Sequence, residues 1–226
     1  MKTLLWILAA SLIWIVSACE RGKATYYEQK TALEKLLEGN KRFVMGKPSA
    51  PNRDEERRLQ TLEVQKPFGV ILTCSDSRIS PTLFFDTGIG DLFVVRTAGN
   101  VIGEIEIASL EYAVRYLGVE VVVIMGHTDC GAIKAFVSGV HEEGHIQAIL
   151  DSLRNEPEEK EALKQPQSIR LNSCVLANVT HQAKFLLQNS KIINQKVQEG
   201  KLQVVEAEYE HKTGLVKVIR IYPNNK

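Results

Sequence analysis

The chain has 226 residues, of which 44% are hydrophobic and 24% are charged, as is ordinary for a globular protein. This length suits one α/β domain or two very small ones. Lysine and arginine together number 28, aspartate and glutamate 27, and no stretch is a block of like charge. The composition therefore argues against a nucleic-acid or other polyanionic partner and favours a small-molecule substrate.

The N-terminal segment has the features of an export signal. Met1 and Lys2 precede the apolar run TLLWILAASLIWIVSA, which has 16 residues. A short basic start and an apolar middle are typical of secretory signals. The run ends in VSAC, which resembles the bacterial lipobox, whose cysteine is lipidated and becomes the mature N-terminus. An uncleaved membrane anchor is the alternative, but a spanning helix needs ~17 to 25 residues.

We therefore expect residues 1–18 to be a lipoprotein-type signal peptide, with Cys19 as the lipidated residue. Residues 19–25 would be a tether, and the domain would occupy residues 26–226. The mature protein would be exported to the periplasm or the cell surface and held at a membrane by its lipid.

The first predicted element of the domain is a helical arm over residues 26–45. Gly39 and Asn40 predict an interruption of this helix. A charged segment over residues 50–65 follows and predicts a solvated connection. The leucines that share the apolar face of the arm are Leu33, Leu36 and Leu37.

Alternating strands and helices are predicted for the rest of the chain. Short apolar runs predict strands over residues 68–74, 91–96 and 119–126. Amphipathic segments predict helices over residues 104–118, from about 131, over 144–154 and over 171–190. The last segment, 201–222, predicts a closing hairpin that turns at 212–214. Strands separated by helices indicate an α/β fold with a central, mainly parallel sheet flanked by helices, and the last strand is expected to be antiparallel.

Candidate ligands follow two of the predicted strands. VILTCSDSR delivers Cys74, Asp76 and Arg78, and VVVIMGHTDC delivers His127 and Cys130. Binding sites of parallel sheets lie beyond the carboxyl ends of the strands, so we expect these residues to meet. Two thiolates and an imidazole suit zinc, and three protein ligands leave the fourth tetrahedral position open for water or substrate. An open position is typical of a catalytic site.

Other interpretations of these residues are less specific. Cys174 has Val175 and Val179 at helical spacing and is interpreted as a small buried core residue. Asp76 and Arg78 could form an ordinary surface ion pair, which contributes little. Only the arrival of matching ligands at two strand ends favours a metal site.

Three motifs together resemble those of the β-class carbonic anhydrases: CSDSR, GDLFVVRTAGN and GHTDCGA. The resemblance runs from LLEGNKRF to EYEHKTGLVKV, most of the chain beyond the signal. It implies one zinc ion per chain, held by Cys74, His127 and Cys130, and the reversible hydration of carbon dioxide to bicarbonate. It also implies a homodimer or a higher homo-oligomer, because the site of this family lies near the subunit interface.

Residues near the expected ligands are candidates for orienting the nucleophile, lining the substrate pocket and carrying the proton. The planar donor fork of Arg78 can hold the Asp76 carboxylate bidentately. Asp76 can then orient the nucleophile, or it can bind the metal as a fourth ligand in a closed site. By the resemblance, Phe93 and Tyr112 would line a small apolar substrate pocket, although both could be core aromatics. Histidine usually carries the released proton, and the sequence does not rank its four candidates: His141, His145, His181 and His211.

Three alternatives stay open. A protein with the same zinc ligands could hydrolyse carbonyl sulfide or carbon disulfide, because pocket shape selects the substrate. The chain could be a non-catalytic zinc-binding lipoprotein, although a closed structural site usually has a fourth Cys or His, and only Asp76 is placed for that position. It could also be a redox protein that uses Cys74 and Cys130, but these lack the Cys-x-x-Cys spacing typical of redox pairs.

Overall fold

The computed structural model describes residues 30–223. The expected signal peptide, Cys19, the tether and residues 26–29 of the predicted arm lie outside the described residues, and those expectations stay predictions. Within residues 30–223, no helix combines the length and the apolar character needed to cross a membrane.

The described residues form one five-stranded sheet in the order β2-β1-β3-β4-β5. All neighbouring strands are parallel except β4 and β5. Strands β1 and β3 are buried along their whole length, as expected where helices cover both faces. The predicted α/β fold with a mainly parallel sheet and an antiparallel last strand is confirmed. The strands are β1 (Gly69–Cys74), β2 (Leu92–Thr97), β3 (Val121–His127), β4 (Gln203–Tyr209) and β5 (Val216–Tyr222).

The predicted helices within the described residues are present, with bounds that differ by a few residues. Four further helices, α2, α3, α7 and α9, were not predicted, because they have only four to eight residues and such short segments carry little periodicity. The helices are α1 (Ala32–Val44), α2 (Glu55–Gln60), α3 (Pro81–Phe84), α4 (Glu104–Tyr116), α5 (Gly131–Ser138), α6 (Ile146–Asn155), α7 (Pro157–Ala162), α8 (Gln167–Asn189) and α9 (Lys191–Gln198), and a 3-10 turn, Ala98–Asn100, follows β2.

Apolar clusters cover the two faces of the sheet and its carboxyl end. Alternate residues of each strand point to opposite faces, so one face packs against α4, α8 and α9 and the other against α1 and α3. A third cluster at the carboxyl end includes α5, α6 and part of α8. Cys174 lies in this third cluster and is fully buried, which confirms it as a core residue.

The predicted interruption at Gly39 and Asn40 is wrong, because α1 runs through both residues. A Cβ at Gly39 would lie 1.8 Å from the carbonyl oxygen of Phe85, so glycine allows close packing here and does not break the helix. The buried Asn40 amide donates to the carbonyl oxygen of Gly214 at 2.8 Å and accepts from the Val216 N–H at 2.8 Å. Both residues therefore tie α1 to the rest of the fold.

A buried carboxylate holds the segment between α1 and α2. Asp86 is 1% exposed and accepts hydrogen bonds from Arg42 Nε at 2.6 Å, from the Ser49 N–H at 2.8 Å and from the Ala50 N–H at 2.7 Å. Burial raises the pKa of Asp86, but these donors outweigh it and lower the pKa to about 2. The ionised form of Asp86 therefore stabilises the folded chain.

We expect Asp86→Asn to destabilise the protein at neutral pH by about 2 kcal/mol, the free energy that corresponds to the lowered pKa. A lowered carboxyl pKa stabilises the fold fully above the unfolded pKa of ~4 and no longer does so near pH ~2. Urea denaturation of the variant and the unaltered protein should therefore give free energies of unfolding that converge over this acid range.

The matched control for this experiment is Asp151→Asn. Its exposed carboxylate pairs with Arg154 at 3.4 Å, and its loss should change stability by less than ~0.5 kcal/mol. A difference between Asp86→Asn and the unaltered protein that stays constant with pH would contradict the assignment.

Candidate metal centre

The two strand ends that were predicted to supply ligands lie side by side. β1 and β3 are parallel neighbours, and Thr73 pairs with Met125. Cys74 and His127 are the last residues of these strands and therefore lie together at the carboxyl end of the sheet. Cys130 follows as the N-cap of α5. The three predicted ligands are brought together.

Cys74, His127 and Cys130 form a buried cluster. Their ligand atoms all lie within 4.8 Å of one another, and the two Sγ atoms are 3.9 Å apart. Nε2 of His127 is buried and has no hydrogen-bond partner among the described residues, which is costly unless another group binds it. Two sulfurs and one imidazole nitrogen at this spacing are a donor set that fits zinc.

The surroundings favour a thiolate at Cys74. The hydrogen bond from Cys130 is the largest cause that lowers the pKa of Cys74 to about 4; burial opposes it, and His127 and the backbone of Asp76 and Gly99 add to it. Cys74 and burial in turn raise the pKa of Cys130. Because the thiolate is the form of cysteine that binds metals, the cluster is prepared for a cation.

Arg78 holds Asp76 beside this cluster, as predicted. Oδ1 of Asp76 accepts from Nε of Arg78 at 2.9 Å, and Oδ2 accepts from Nη2 at 2.7 Å. These bonds keep the pKa of Asp76 well below its usual range. Oδ2 also lies 4.0 Å from Nε2 of His127. The carboxylate is therefore ionised and adjacent to the ligand atoms, whereas an ordinary surface pair would lie away from them.

Arg96 is a functional neighbour that sequence reasoning missed. Its side chain donates to the carbonyl oxygen of Asp76 at 2.7 Å and to that of Cys74 at 3.2 Å. It therefore fixes the backbone on both sides of Ser75. The available signal was an arginine near the end of an apolar strand, in VVRT.

Of the four candidate histidines, His211 lies beside the ligand cluster. Its Nε2 is 2.9 Å from Nδ1 of His127, which also lies 3.0 Å from the carbonyl oxygen of Thr128. Ligand atoms of His211, His127 and Asp76 lie within 4.8 Å of one another. Burial, Arg78 and His127 lower the pKa of His211. The contact ranks His211 above the other three by position, and its role as a proton carrier stays a prediction.

The other three histidines belong to neither group of closely spaced ligand atoms found among residues 30–223. His141 and His145 are exposed between α5 and α6. His181 on α8 lies 3.0 Å from a carboxylate oxygen of Glu158.

A backbone donor to Cys74 was also missed. The Gly99 N–H donates to Sγ of Cys74 at 3.3 Å. Gly99 lies in the 3-10 turn after β2 with φ 67°, a left-handed conformation that favours glycine. The available signal was the Gly-Asn pair directly after a strand, in RTAGN.

The two predicted pocket residues meet each other but not the ligand cluster of the same chain. The rings of Phe93 and Tyr112 are 6.2 Å apart. Phe93 pairs with Val70, whereas Cys74 pairs with Thr97, so Phe93 lies about 13 Å along the strand from the level of Cys74. A single chain therefore does not place this pair at the ligands.

The sequence is similar to that of known enzymes over most of its length. The family model described as carbonic anhydrase matches residues 69–216. The carbonic anhydrase of Mycolicibacterium smegmatis is 45% identical over 115 residues, which are 51% of this chain and 55% of that protein. Carbonic anhydrase 2 of Mycobacterium tuberculosis is 34% identical over 183 residues, which are 79% of this chain and 87% of that protein.

The fold agrees with this similarity. A Coccomyxa β-carbonic anhydrase solved in complex with acetazolamide is 25% identical, with a TM-score of 0.68 over 85% of this chain and 88% of that one. Together, the family match over more than half of the sequence and the likeness in fold establish that the chain belongs to the β-class carbonic anhydrase family, a family of enzymes.

Proposed function

We propose that this protein catalyses the reversible hydration of carbon dioxide to bicarbonate and a proton, with one zinc ion per chain. The observation that carries the proposal is the buried Cys74–His127–Cys130 cluster, with Asp76 held beside it by Arg78. Zinc, when bound, supplies a Lewis acid that makes water nucleophilic near neutral pH. The named relatives are carbonic anhydrases, which supports the same substrate here.

Asp76 would orient the attacking water. Arg78 binds both carboxylate oxygens, but Oδ2, at 4.0 Å from Nε2 of His127, has a second lone pair that can accept from water. That hydrogen bond would aim the water oxygen at the carbon of carbon dioxide, where the new C–O bond forms as the water loses a proton. If Arg78 released the carboxylate, Asp76 could join the ligands and close the site.

We expect Cys74→Ser, His127→Ala and Cys130→Ser to lose both zinc and hydration activity, because each removes one of three ligands. The unaltered protein should contain about one zinc per chain, measured by elemental analysis beside stopped-flow hydration. Cys174→Ala is the matched control, because Cys174 is equally buried but lies outside the ligand cluster. Full activity in metal-free protein would contradict the zinc assignment.

We expect Asp76→Asn and Arg78→Ala to retain zinc but to lose hydration activity by roughly 10–100-fold, the usual effect of changing a group that orients the centre. Stopped-flow hydration and zinc content would be measured on the same samples. The control variant is Asp151→Asn, which removes an exposed carboxylate and should leave both values unchanged.

Two results of that experiment would change the proposal. Undiminished turnover in Asp76→Asn would remove the Asp76–Arg78 pair from the reaction. Zinc-loaded unaltered protein that does not hydrate carbon dioxide would favour carbonyl sulfide or carbon disulfide as substrate, or a non-catalytic role.

We also propose that the active form is a homodimer or a higher homo-oligomer, with a second copy covering β2 and α4. β2 is an edge strand of the sheet, and such edges favour pairing with another chain. On α4, Ile105, Tyr112 and Tyr116 are 73%, 45% and 69% exposed, and their spacing puts them on one helical face. Because Phe93 contacts Tyr112 and lies far along β2 from Cys74, a partner would be needed to bring this pair to a site.

We expect Ile105→Lys and Tyr116→Lys to weaken self-association, because each buries a charge in the proposed contact. Sedimentation velocity should detect an oligomer for the unaltered protein and a shift towards monomer for the variants, with a parallel loss of activity. Ile169→Lys on α8, where the side chain is 50% exposed, is the control and should stay oligomeric. A fully active monomer would contradict the proposal.

Export and membrane anchoring through Cys19 remain our proposal from the VSAC motif. We expect the protein to partition into detergent with membranes, and Cys19→Ser either to release it or to leave an uncleaved precursor, because the lipid is attached to that sulfur. Fractionation with detection of the precursor by mass would check this. Complete solubility of the unaltered protein after export would refute the anchor.

A further inference from the structure

The Gly99 turn supplies a hydrogen bond to a proposed zinc ligand, and its backbone is held in an uncommon conformation. Its N–H lies 3.3 Å from Sγ of Cys74. Gly99 and Asn100 both have positive φ, at 67° and 49°. Left-handed residues persist where surrounding contacts hold them. The contacts that hold this turn therefore decide whether the donor reaches the sulfur.

Two amide side chains of α8 form hydrogen bonds with the backbone of this turn and of the segment directly after it. Asn178 Nδ2 donates to the carbonyl oxygen of Gly99 at 2.7 Å. Gln182 Oε1 accepts from the Ile102 N–H at 2.8 Å. Asn178 and Gln182 are four residues apart and therefore share one face of the helix. Both are buried, at 1% and 2% exposure, so neither bond is replaced by water in the folded chain.

The two amides are also bonded to each other and to a buried carboxyl group. Gln182 Nε2 donates to Oδ1 of Asn178 at 3.0 Å and to Oε1 of Glu156 at 2.7 Å. Burial, with Glu159 and Glu158 nearby, raises the pKa of Glu156 to about 9, so this carboxyl group is neutral near pH 7. A continuous chain of hydrogen bonds therefore runs from Glu156 through α8 to Gly99 and the sulfur.

We propose that Asn178 and Gln182 are positioning residues that hold the Gly99 N–H on the sulfur of Cys74 and thereby reduce the electron donation of that sulfur to the bound metal. Two thiolate ligands neutralise the charge of a divalent ion, and the neutralised ion polarises a bound water less strongly. A backbone N–H on one sulfur withdraws part of that charge. The inference deepens the proposed zinc function and rests on it.

The test uses full-length protein loaded either with zinc or with cobalt(II), whose thiolate charge-transfer absorption reports the electron density on sulfur. We expect Asn178→Ala to move this absorption to lower energy, because a sulfur without its donor is more easily oxidised. Zinc affinity, measured by competition with a chelator, should fall roughly 10–100-fold, because the loss of a group that holds the ligand in position outweighs the stronger donation of its sulfur. The hydration rate constant kcat should fall while KM changes little.

Two further variants separate this role from simple packing. Gln182→Glu keeps the acceptor for Ile102 but removes the donor to Asn178 and to Glu156. It leaves the Asn178 bond to Gly99 in place and should therefore shift the cobalt absorption less than Asn178→Ala; it also serves if Asn178→Ala does not fold. Thr180→Val removes another α8 hydrogen bond, to Glu206 at 2.8 Å, and should lower stability without moving the absorption.

An unchanged cobalt spectrum and unchanged zinc affinity in folded Asn178→Ala and Gln182→Glu would overturn the inference and leave both residues with a structural role alone. Failure of the proposed zinc function itself would give a distinguishable result. Neither the unaltered protein nor the Asn178→Ala variant would then show a thiolate absorption with cobalt.

Discussion

The site depends on two neighbouring parallel strands whose carboxyl ends lie side by side. The pairing of Thr73 with Met125 sets the register of β1 and β3, and this register places Cys74 within one residue of the level of His127. A shift by one residue would turn every side chain to the opposite face, so the apolar packing of both faces also protects the ligand geometry. Gly126 contributes from within β3. A Cβ there would lie 2.7 Å from Cγ2 of Val179, so glycine lets α8 approach the sheet closely enough for its amides to reach the Gly99 turn.

Electrostatics at the centre follow from placing a partly buried carboxylate and two buried sulfurs next to fixed donors. The Asp76 carboxylate is kept ionised by Arg78, and the Cys74 thiolate is favoured by Cys130, His127 and backbone N–H groups. Cys130 caps α5, and the backbone groups of Ala132 and Ile133 favour its thiolate although burial and Cys74 oppose it. Preorganised donors of this kind lower the reorganisation that binding a cation or a polar transition state would otherwise require.

Much of the fold could be predicted from periodicity. The fully apolar runs that became β1 and β3 and the amphipathic segments of α4 and α8 were identified because burial on both faces or on one face leaves a direct pattern in the sequence. Gly39 and Asn40 misled prediction for a physical reason. Both are typical helix terminators, yet within α1 the glycine accommodates the Phe85 carbonyl group, and the Asn40 amide bonds the hairpin instead of its own backbone. Contacts with residues far along the chain override local preference.

Sequence by itself determined which candidate ligands and partner residues follow the two strands. Cysteine, histidine, aspartate and arginine can be recognised from their identity and spacing. Only the tertiary structure decided which groups support them. Arg96, Gly99 and His211 act through distances between segments that are 20 or more residues apart, and a backbone N–H has no side-chain identity to detect. The tertiary structure also displaced Phe93 and Tyr112 from the ligands of their own chain, since strand register, which no local pattern encodes, sets that separation.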